Sequence, residues 1–258
     1  MDRRILYDRL FEMQGKKHFL YENEMGRAVQ SPGAPLWIWL RDASLARPFF
    51  YGFLAAYTGD VKELGGCGLV VARDAAQVCG DILAAAVGVP YSLREMRAYS
   101  LTEGVMLPSG KGVKGKLRRM GSGDWLTVLG WIKAFYTETL EASLPGKMAG
   151  ADAAQGEVTP TEKKMPEIYV WDAEDGNPTA MGMLTQGTEI RRLNLIFCPK
   201  EKRRRGYARA LVAGLCALVH NGGKIPMLYV YGDNTGAVKL YEGLGFVMVG
   251  AVTEVRFR

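Results

Sequence analysis

A basic turn between a strand-like and a helix-like segment has the clearest chemical meaning in this sequence. Its cationic residues are Lys200, Lys202, Arg203, Arg204, Arg205 and Arg209. Main-chain N–H groups at the start of a helix carry partial positive charge and bind phosphate groups. Gly206 lets the backbone approach a phosphate closely, and Ala208 is small enough for the first helical turn to touch the same ligand. The pattern predicts a diphosphate site; the alternative is a solvated basic turn.

A second stretch, Tyr231 to Phe246, places an asparagine before a short helix-like segment and a tyrosine inside that segment. Asn234 is suited to capping the helix. Tyr241 has two readings: its ring packs under a sheet, or its hydroxyl donates a proton to a leaving group within hydrogen-bond reach.

Together the two stretches resemble the GNAT superfamily of N-acetyltransferases. Arg203-x-x-Gly206-x-Ala208 is similar to its acetyl-CoA signature, Gln/Arg-x-x-Gly-x-Gly/Ala. Asn234 to Phe246 is similar to its closing motif, Asn-x-x-Ala-x-x-x-Tyr-x-x-x-Gly-Phe. A bacterial branch ends the preceding strand in Tyr-Thr-Pro, where this chain has Phe197-Cys198-Pro199. With the flanking elements the resemblance covers about residues 116–258.

The resemblance implies an acetyl-CoA-dependent N-acetyltransferase in which a primary amine attacks the thioester directly, without a metal. A main-chain N–H near Phe197 is expected to stabilise the oxyanion, and Tyr241 to act as general acid. Glu189 is the candidate base, although a surface glutamate at a strand end is an equally good reading. The cofactor-binding residues implied are Ile196, Phe197, Cys198, Arg203, Arg204, Arg205, Gly206, Tyr207, Ala208, Arg209 and Asn234.

Two other functions stay open, and a third is rejected. A GNAT-like sensor would bind acetyl-CoA without turnover. A nucleic-acid binder would use the second basic patch, Lys111 to Arg119, which lacks interleaved aromatic residues. Gly110 to Lys116 fits the glycine and lysine positions of a P-loop, but Leu117 stands where the magnesium-binding Ser or Thr is needed, which argues against a nucleoside triphosphatase.

The elements that must position the two motifs follow from hydrophobic spacing. From Lys116 onward the pattern predicts the order β-α-β-β-β-α-β-α-β. This order is typical of an α/β (α+β) GNAT-type fold with a mixed, mainly antiparallel twisted sheet flanked by helices. Pro145 to Pro166 breaks the pattern, and we expect this loop to contact the acceptor.

The N-terminal half alternates strand-like and helix-like segments but carries no phosphate-binding motif. Predicted strands are Pro35–Leu40, Gly68–Ala72 and Arg94–Leu101, and predicted helices are Ser44–Tyr57 and Asp74–Val87. Because Leu107 to Gly123 is rich in glycine and lysine, we predict an accessory or degenerate GNAT-like α/β domain over 1–110 and the GNAT domain over 111–258. We expect the aromatic residues of this half to form an ordinary hydrophobic core. The alternative is that they cover the acceptor pocket or form the interface of a homodimer.

Composition sets the broad class. The chain is 48% hydrophobic with a formal net charge of +6, as expected of a globular protein that attracts anions. Four cysteines without a CxxC pair and two histidines argue against a zinc site. Lacking a signal-like start and any apolar run near the ~20 residues that span a bilayer, the chain is expected to be cytoplasmic and without a membrane partner. No motif identifies the acceptor, a small-molecule or peptide amine.

Overall fold

The computed structural model describes residues 19–31, 33–102, 113–141 and 167–257. The chain divides into two compact units. The first comprises Met1–Ala98, Tyr229–Thr235 and Met248–Arg258, and the second Tyr99–Leu228 and Gly236–Val247. The predicted domain boundary near residue 110 and the predicted acceptor loop, Pro145 to Pro166, lie outside the described residues, and both stay predictions.

The first unit contains the strands and helices of the N-terminal half and the closing strand of the chain. Its elements are β1 (Phe19–Asn23), β2 (Gly26–Gln30), β3 (Leu36–Leu40), α1 (Ala46–Ala56), α2 (Val61–Cys67), β4 (Leu69–Val71), α3 (Arg73–Val87), most of β5 (Tyr91–Ser100) and most of β11 (Val247–Phe257). The strand order is β1-β2-β3-β4-β11-β5, with β3 and β4 parallel. Phe49, Phe50 and Phe53 of α1 pack in its core and are fully buried.

Among the described residues, the order predicted from residue 116 onward is confirmed along the chain, and the second unit contains its elements up to the helix before β11. Its elements are β6 (Gly115–Arg119), α4 (Trp125–Glu141), β7 (Glu167–Ala173), β8 (Pro178–Leu184), β9 (Ile190–Phe197), α5 (Tyr207–Asn221), the first half of β10 (Ile225–Tyr231) and α6 (Thr235–Glu242). Strands β6 to β9 form an antiparallel meander, and β10 lies parallel to β9. The fold class is therefore mixed α/β with a mostly antiparallel sheet flanked by helices.

The two faces of this meander are covered by different helices. On one face Val128 of α4 packs with Leu195 and Phe197 of β9. On the other face α5 lies very close to the sheet at Gly182, where an added Cβ would stand 2.7 Å from Ile196 Cδ1 and 2.9 Å from Leu215 Cδ1. The absence of a side chain at Gly182 thus lets α5, whose first residues carry the basic motif, rest directly on the sheet.

Membrane-spanning helices and metal-binding clusters are two features that would indicate other classes of function. No described helix combines the length and apolarity that crossing a bilayer requires. Within the described ranges, no three His, Cys, Asp or Glu side chains are grouped so that they could hold a metal ion.

Candidate functional site

Strands β9 and β10 pair in parallel over a short stretch at the start of each strand. Ile225 to Met227 pair with Ile190 to Arg192. Within the described part of the second unit the register covers only these steps, although β9 continues to Phe197. The unpaired edge of β9 can therefore receive an extended ligand whose amide groups hydrogen-bond to the strand.

A β-bulge lies in the part of β9 that is not paired with β10. Opposite β8, Met183 faces Asn194 whereas Met181 faces Phe197, so β9 contains one extra residue. Leu195 at the bulge has a φ of 50°, an uncommon value for a residue with a side chain. The side-chain oxygen of Asn194 accepts the Leu195 N–H at 2.9 Å. The bulge is thus held by a hydrogen bond within β9 itself.

After the bulge, the Ile196 N–H points to the side of β9 that is not paired with β8. The Thr185 N–H donates to the Arg192 carbonyl at 3.0 Å, so alternate residues of β8, including Met181, turn their main-chain groups to β9. Met181 lies opposite Phe197, whose N–H is therefore turned toward β8. From Ile196 to Phe197 the main chain continues as a strand, so their N–H groups point to opposite sides and the Ile196 N–H faces the edge of β9 away from β8. The Ile196 N–H is therefore the main-chain donor near Phe197 that points away from β8.

The basic turn joins β9 to α5 through two residues with positive φ, Arg204 at 59° and Gly206 at 86°. An added Cβ at Gly206 would stand 2.5 Å from Val113 Cγ2. Glycine is required here by the backbone conformation and also by the close approach of Val113.

The N–H groups at the start of α5 are available to a ligand. The first main-chain bond of the helix runs from Ala210 N–H to the Gly206 carbonyl at 3.0 Å. None of the described residues accepts a main-chain hydrogen bond from Arg204 to Arg209. Such a cluster of N–H groups at a helix N-terminus suits a phosphate or diphosphate.

The structure gives the arginines of the motif different tasks. Arg203 Nε donates to the Cys198 carbonyl at 2.8 Å, and its Nη2 pairs with Glu138 Oε2 of α4 at 2.6 Å. Arg209 donates to the Gly243 carbonyl just beyond α6. Arg204 and Arg205 are exposed, and no described residue pairs with their guanidinium groups. Sequence reasoning treated these arginines alike, but the part of the chain that the structure describes provides partners for Arg203 and Arg209 and none for Arg204 and Arg205.

A cavity of about 440 Å³ adjoins the turn. Its lining includes Arg205 and Tyr207 from the turn and the start of α5, Trp131 of α4 and Thr179 of β8. The turn therefore opens onto a cavity lined by polar and aromatic side chains, and is not closed off by its own basic residues.

Tyr241 and Asn234 both belong to the second motif. Tyr241 is only 6% exposed, its ring meets Phe246 edge-on at 5.8 Å, and burial raises the pKa of its hydroxyl well above the ordinary value of 10.0. The phenol is therefore protonated at neutral pH, as a proton donor must be. Asn234 is exposed directly before α6, and its N–H donates to the Tyr231 carbonyl at 3.0 Å.

Glu189 directly precedes β9, at the opposite end of the strand from Ile196. It is exposed, and its carbonyl accepts the Ile225 N–H at 2.9 Å, which places it before the paired steps of β9 and β10. The structure does not bring it to Ile196. Sequence reasoning missed Asn194, because no local pattern marks a bulge.

Residues 177–255, which contain both motifs, match the model of the family described as FR47-like protein. The chain has a GNAT-type fold. Solved structures with this fold include a GCN5-related N-acetyltransferase from Sphaerobacter thermophilus, which is 14% identical with a TM-score of 0.57 over 95% of this chain and 82% of the other.

Two more solved structures are similar over most of their length. An acetyltransferase of the GNAT family from Colwellia psychrerythraea is 14% identical, with a TM-score of 0.54 over 93% of this chain and 85% of the other. A functionally unknown conserved protein from Staphylococcus epidermidis is 11% identical, with a TM-score of 0.62 over 93% of both chains. At these identities the similarity concerns the GNAT-type fold alone. No curated protein matches this sequence.

Proposed function

We propose that this protein is an acetyl-CoA-dependent N-acetyltransferase that moves an acetyl group to a primary amine of a small molecule or peptide. The observation that carries the proposal is that the unpaired edge of β9 leads along the chain into a turn whose N–H groups, at the start of α5, have no main-chain acceptor among the described residues. A pantetheine arm has amides for the first part, and a diphosphate suits the second.

The cofactor would be held mainly by main-chain groups. The N–H groups from Arg204 to Arg209 would bind the diphosphate, and the guanidinium groups of Arg204 and Arg205 would add positive field. The pantetheine amides would pair with the free edge of β9. Arg203 would act on the cofactor indirectly, because its side chain fixes the turn to Cys198 and Glu138.

The chemical step would be direct transfer. A neutral amine attacks the thioester carbonyl, and the Ile196 N–H stabilises the oxyanion that forms. When the carbon–sulfur bond breaks, Tyr241 gives its proton to the departing thiolate. The attacking nitrogen releases a proton to a base or to ordered water. The position of Glu189 lends its assignment as that base no support.

Two measurements test the proposal. Calorimetry with the full chain should register binding of CoA, and a panel of amines incubated with acetyl-CoA should include one that releases free thiol. Binding without thiol release from any amine would favour a non-catalytic sensor instead. No binding of either CoA or acetyl-CoA would remove the basis of the proposal.

A further inference from the structure

Tyr99 of β5 is hydrogen-bonded to the residue that follows Tyr241. The Tyr99 hydroxyl donates to Glu242 Oε1 at 2.9 Å, across 143 positions of sequence. Tyr99 is 1% exposed whereas Glu242 is an exposed residue, so the hydroxyl donates from a buried position to a carboxylate at the surface. Both residues belong to the second compact unit.

Helix α6 depends on such contacts for its orientation. It has 8 residues, and a helix of this length is not stable in water on its own. The N–H groups of Leu244 and Phe246 donate to the Tyr241 carbonyl at 3.0 and 3.1 Å and close the helix. Arg209 of α5 also holds the Gly243 carbonyl. The end of α6 is thus bonded from α5 on the Gly243 side and from β5 through Glu242.

We propose that Tyr99 is a positioning residue for Tyr241 and that the N-terminal half of the chain thereby takes part in the acyl-transfer step. Successive residues of a helix point about 100° apart, so fixing Glu242 toward β5 also fixes the rotation of the helix end from which the Tyr241 ring projects. The inference rests on the proposed function, in which Tyr241 must reach the departing sulfur.

The bond between Tyr99 and Glu242 gives the N-terminal half a role that its sequence does not reveal. Tyr99 precedes the predicted boundary at residue 110, yet it is grouped with Tyr241 in the second unit. A fragment beginning at residue 111 would lack this hydroxyl. The segment of β5 around Tyr99 is therefore part of the catalytic unit.

The first test compares full-length variants in turnover with acetyl-CoA and the amine found by thiol release. Tyr99→Phe and Glu242→Ala should lower kcat by about tenfold or more with KM for acetyl-CoA unchanged, because a small displacement of a catalytic group is costly. Glu242→Gln should stay near the unmodified protein, since its side-chain oxygen still accepts. Tyr91→Phe is the matched control, because Tyr91 opens the same strand and its hydroxyl donates to Asp81 at 2.6 Å.

The inference is overturned if kcat of Tyr99→Phe lies within about twofold of the Tyr91→Phe control. A rise in KM without loss of kcat would also overturn it, because the residue would then act on cofactor binding.

A second test does not require turnover. With tyrosine labelled by ¹³C at Cζ, the NMR signal of Tyr241 is identified as the one lost in Tyr241→Phe. That signal should shift in Tyr99→Phe and stay in place in Tyr91→Phe. An unmoved signal refutes the positioning role even if no amine is acetylated. Absence of CoA binding, by contrast, bears on the proposed function and leaves this measurement valid.

Discussion

Arg203, the first residue of the basic signature, is bonded to Glu138 of helix α4 at 2.6 Å. The same guanidinium donates to the Cys198 carbonyl at the end of β9 at 2.8 Å. The arginine therefore joins α4, the end of β9 and the basic turn. Its neighbours Arg204 and Arg205 make no such bonds within the described residues, and this difference leads to separable effects on stability and affinity.

Replacing Arg203 should weaken the fold, whereas replacing Arg204 or Arg205 should weaken CoA binding alone. Arg203→Ala should lower the free energy of unfolding by about 1 kcal/mol, mostly through the bond to Cys198, because the partly exposed pair with Glu138 is screened by solvent. Arg204→Ala and Arg205→Ala should leave unfolding unchanged and reduce CoA affinity, with a weaker dependence on salt. Urea unfolding and calorimetry at two ionic strengths measure both effects. Equal loss of stability in all three variants would contradict the assignment.

Gly206 should tolerate no side chain. Gly206→Ala places a Cβ at a φ of 86° and 2.5 Å from Val113 Cγ2. The backbone conformation alone costs about 1–2 kcal/mol, and the displaced turn should no longer bind CoA. Gly223→Ala is the control, since Gly223 has a φ of 68° but no atom within 4 Å of the added Cβ. Calorimetry should show normal CoA binding in the control; binding retained by Gly206→Ala would contradict the proposed site.

Tyr241→Phe should slow transfer without affecting CoA binding, because only the proton donor is removed. Burial raises the pKa of Tyr241, so the folded protein retains this proton above pH 10.0, the ordinary value, where the unfolded chain loses it. The stabilisation is complete below that pH and is lost as the pH rises from it toward the raised pKa. Unfolding in urea at pH 8 and above pH 10 should therefore show a smaller pH-dependent loss of stability in Tyr241→Phe. An equal loss in both proteins would show that Tyr241 titrates normally.

Asn194 should hold the bulge that aims the Ile196 N–H. Asn194→Ala removes the acceptor of the Leu195 N–H and should cost about 1 kcal/mol of stability along with much of kcat. Asn194→Asp keeps an acceptor oxygen and should retain more of both. Turnover by thiol release and urea unfolding give the comparison; the prediction fails if kcat is unchanged in Asn194→Ala.

Several elements were predictable because their signals are local. The apolar stripe of α4, the turns of the β7–β8 hairpin and the glycines that end α5 lie within a few residues of the structures that they specify. The strand that closes the predicted order is β11, which ends at Phe257. The hairpin of β1 and β2 and the short helix α2 were missed, because their patterns are brief and their stability comes from packing in the first unit.

By itself, the sequence determined the turn at Gly206, the helix that follows it and the tyrosine at position 241, since spacing and residue type within short stretches decide such features. Only the tertiary structure decided that Arg204 and Arg205 lack a partner among the described residues, that the Ile196 N–H faces the edge of β9 away from β8, and that Tyr99 reaches Glu242. Those features depend on strand register and on contacts between residues far apart in the chain, and neither leaves a periodic trace in the sequence.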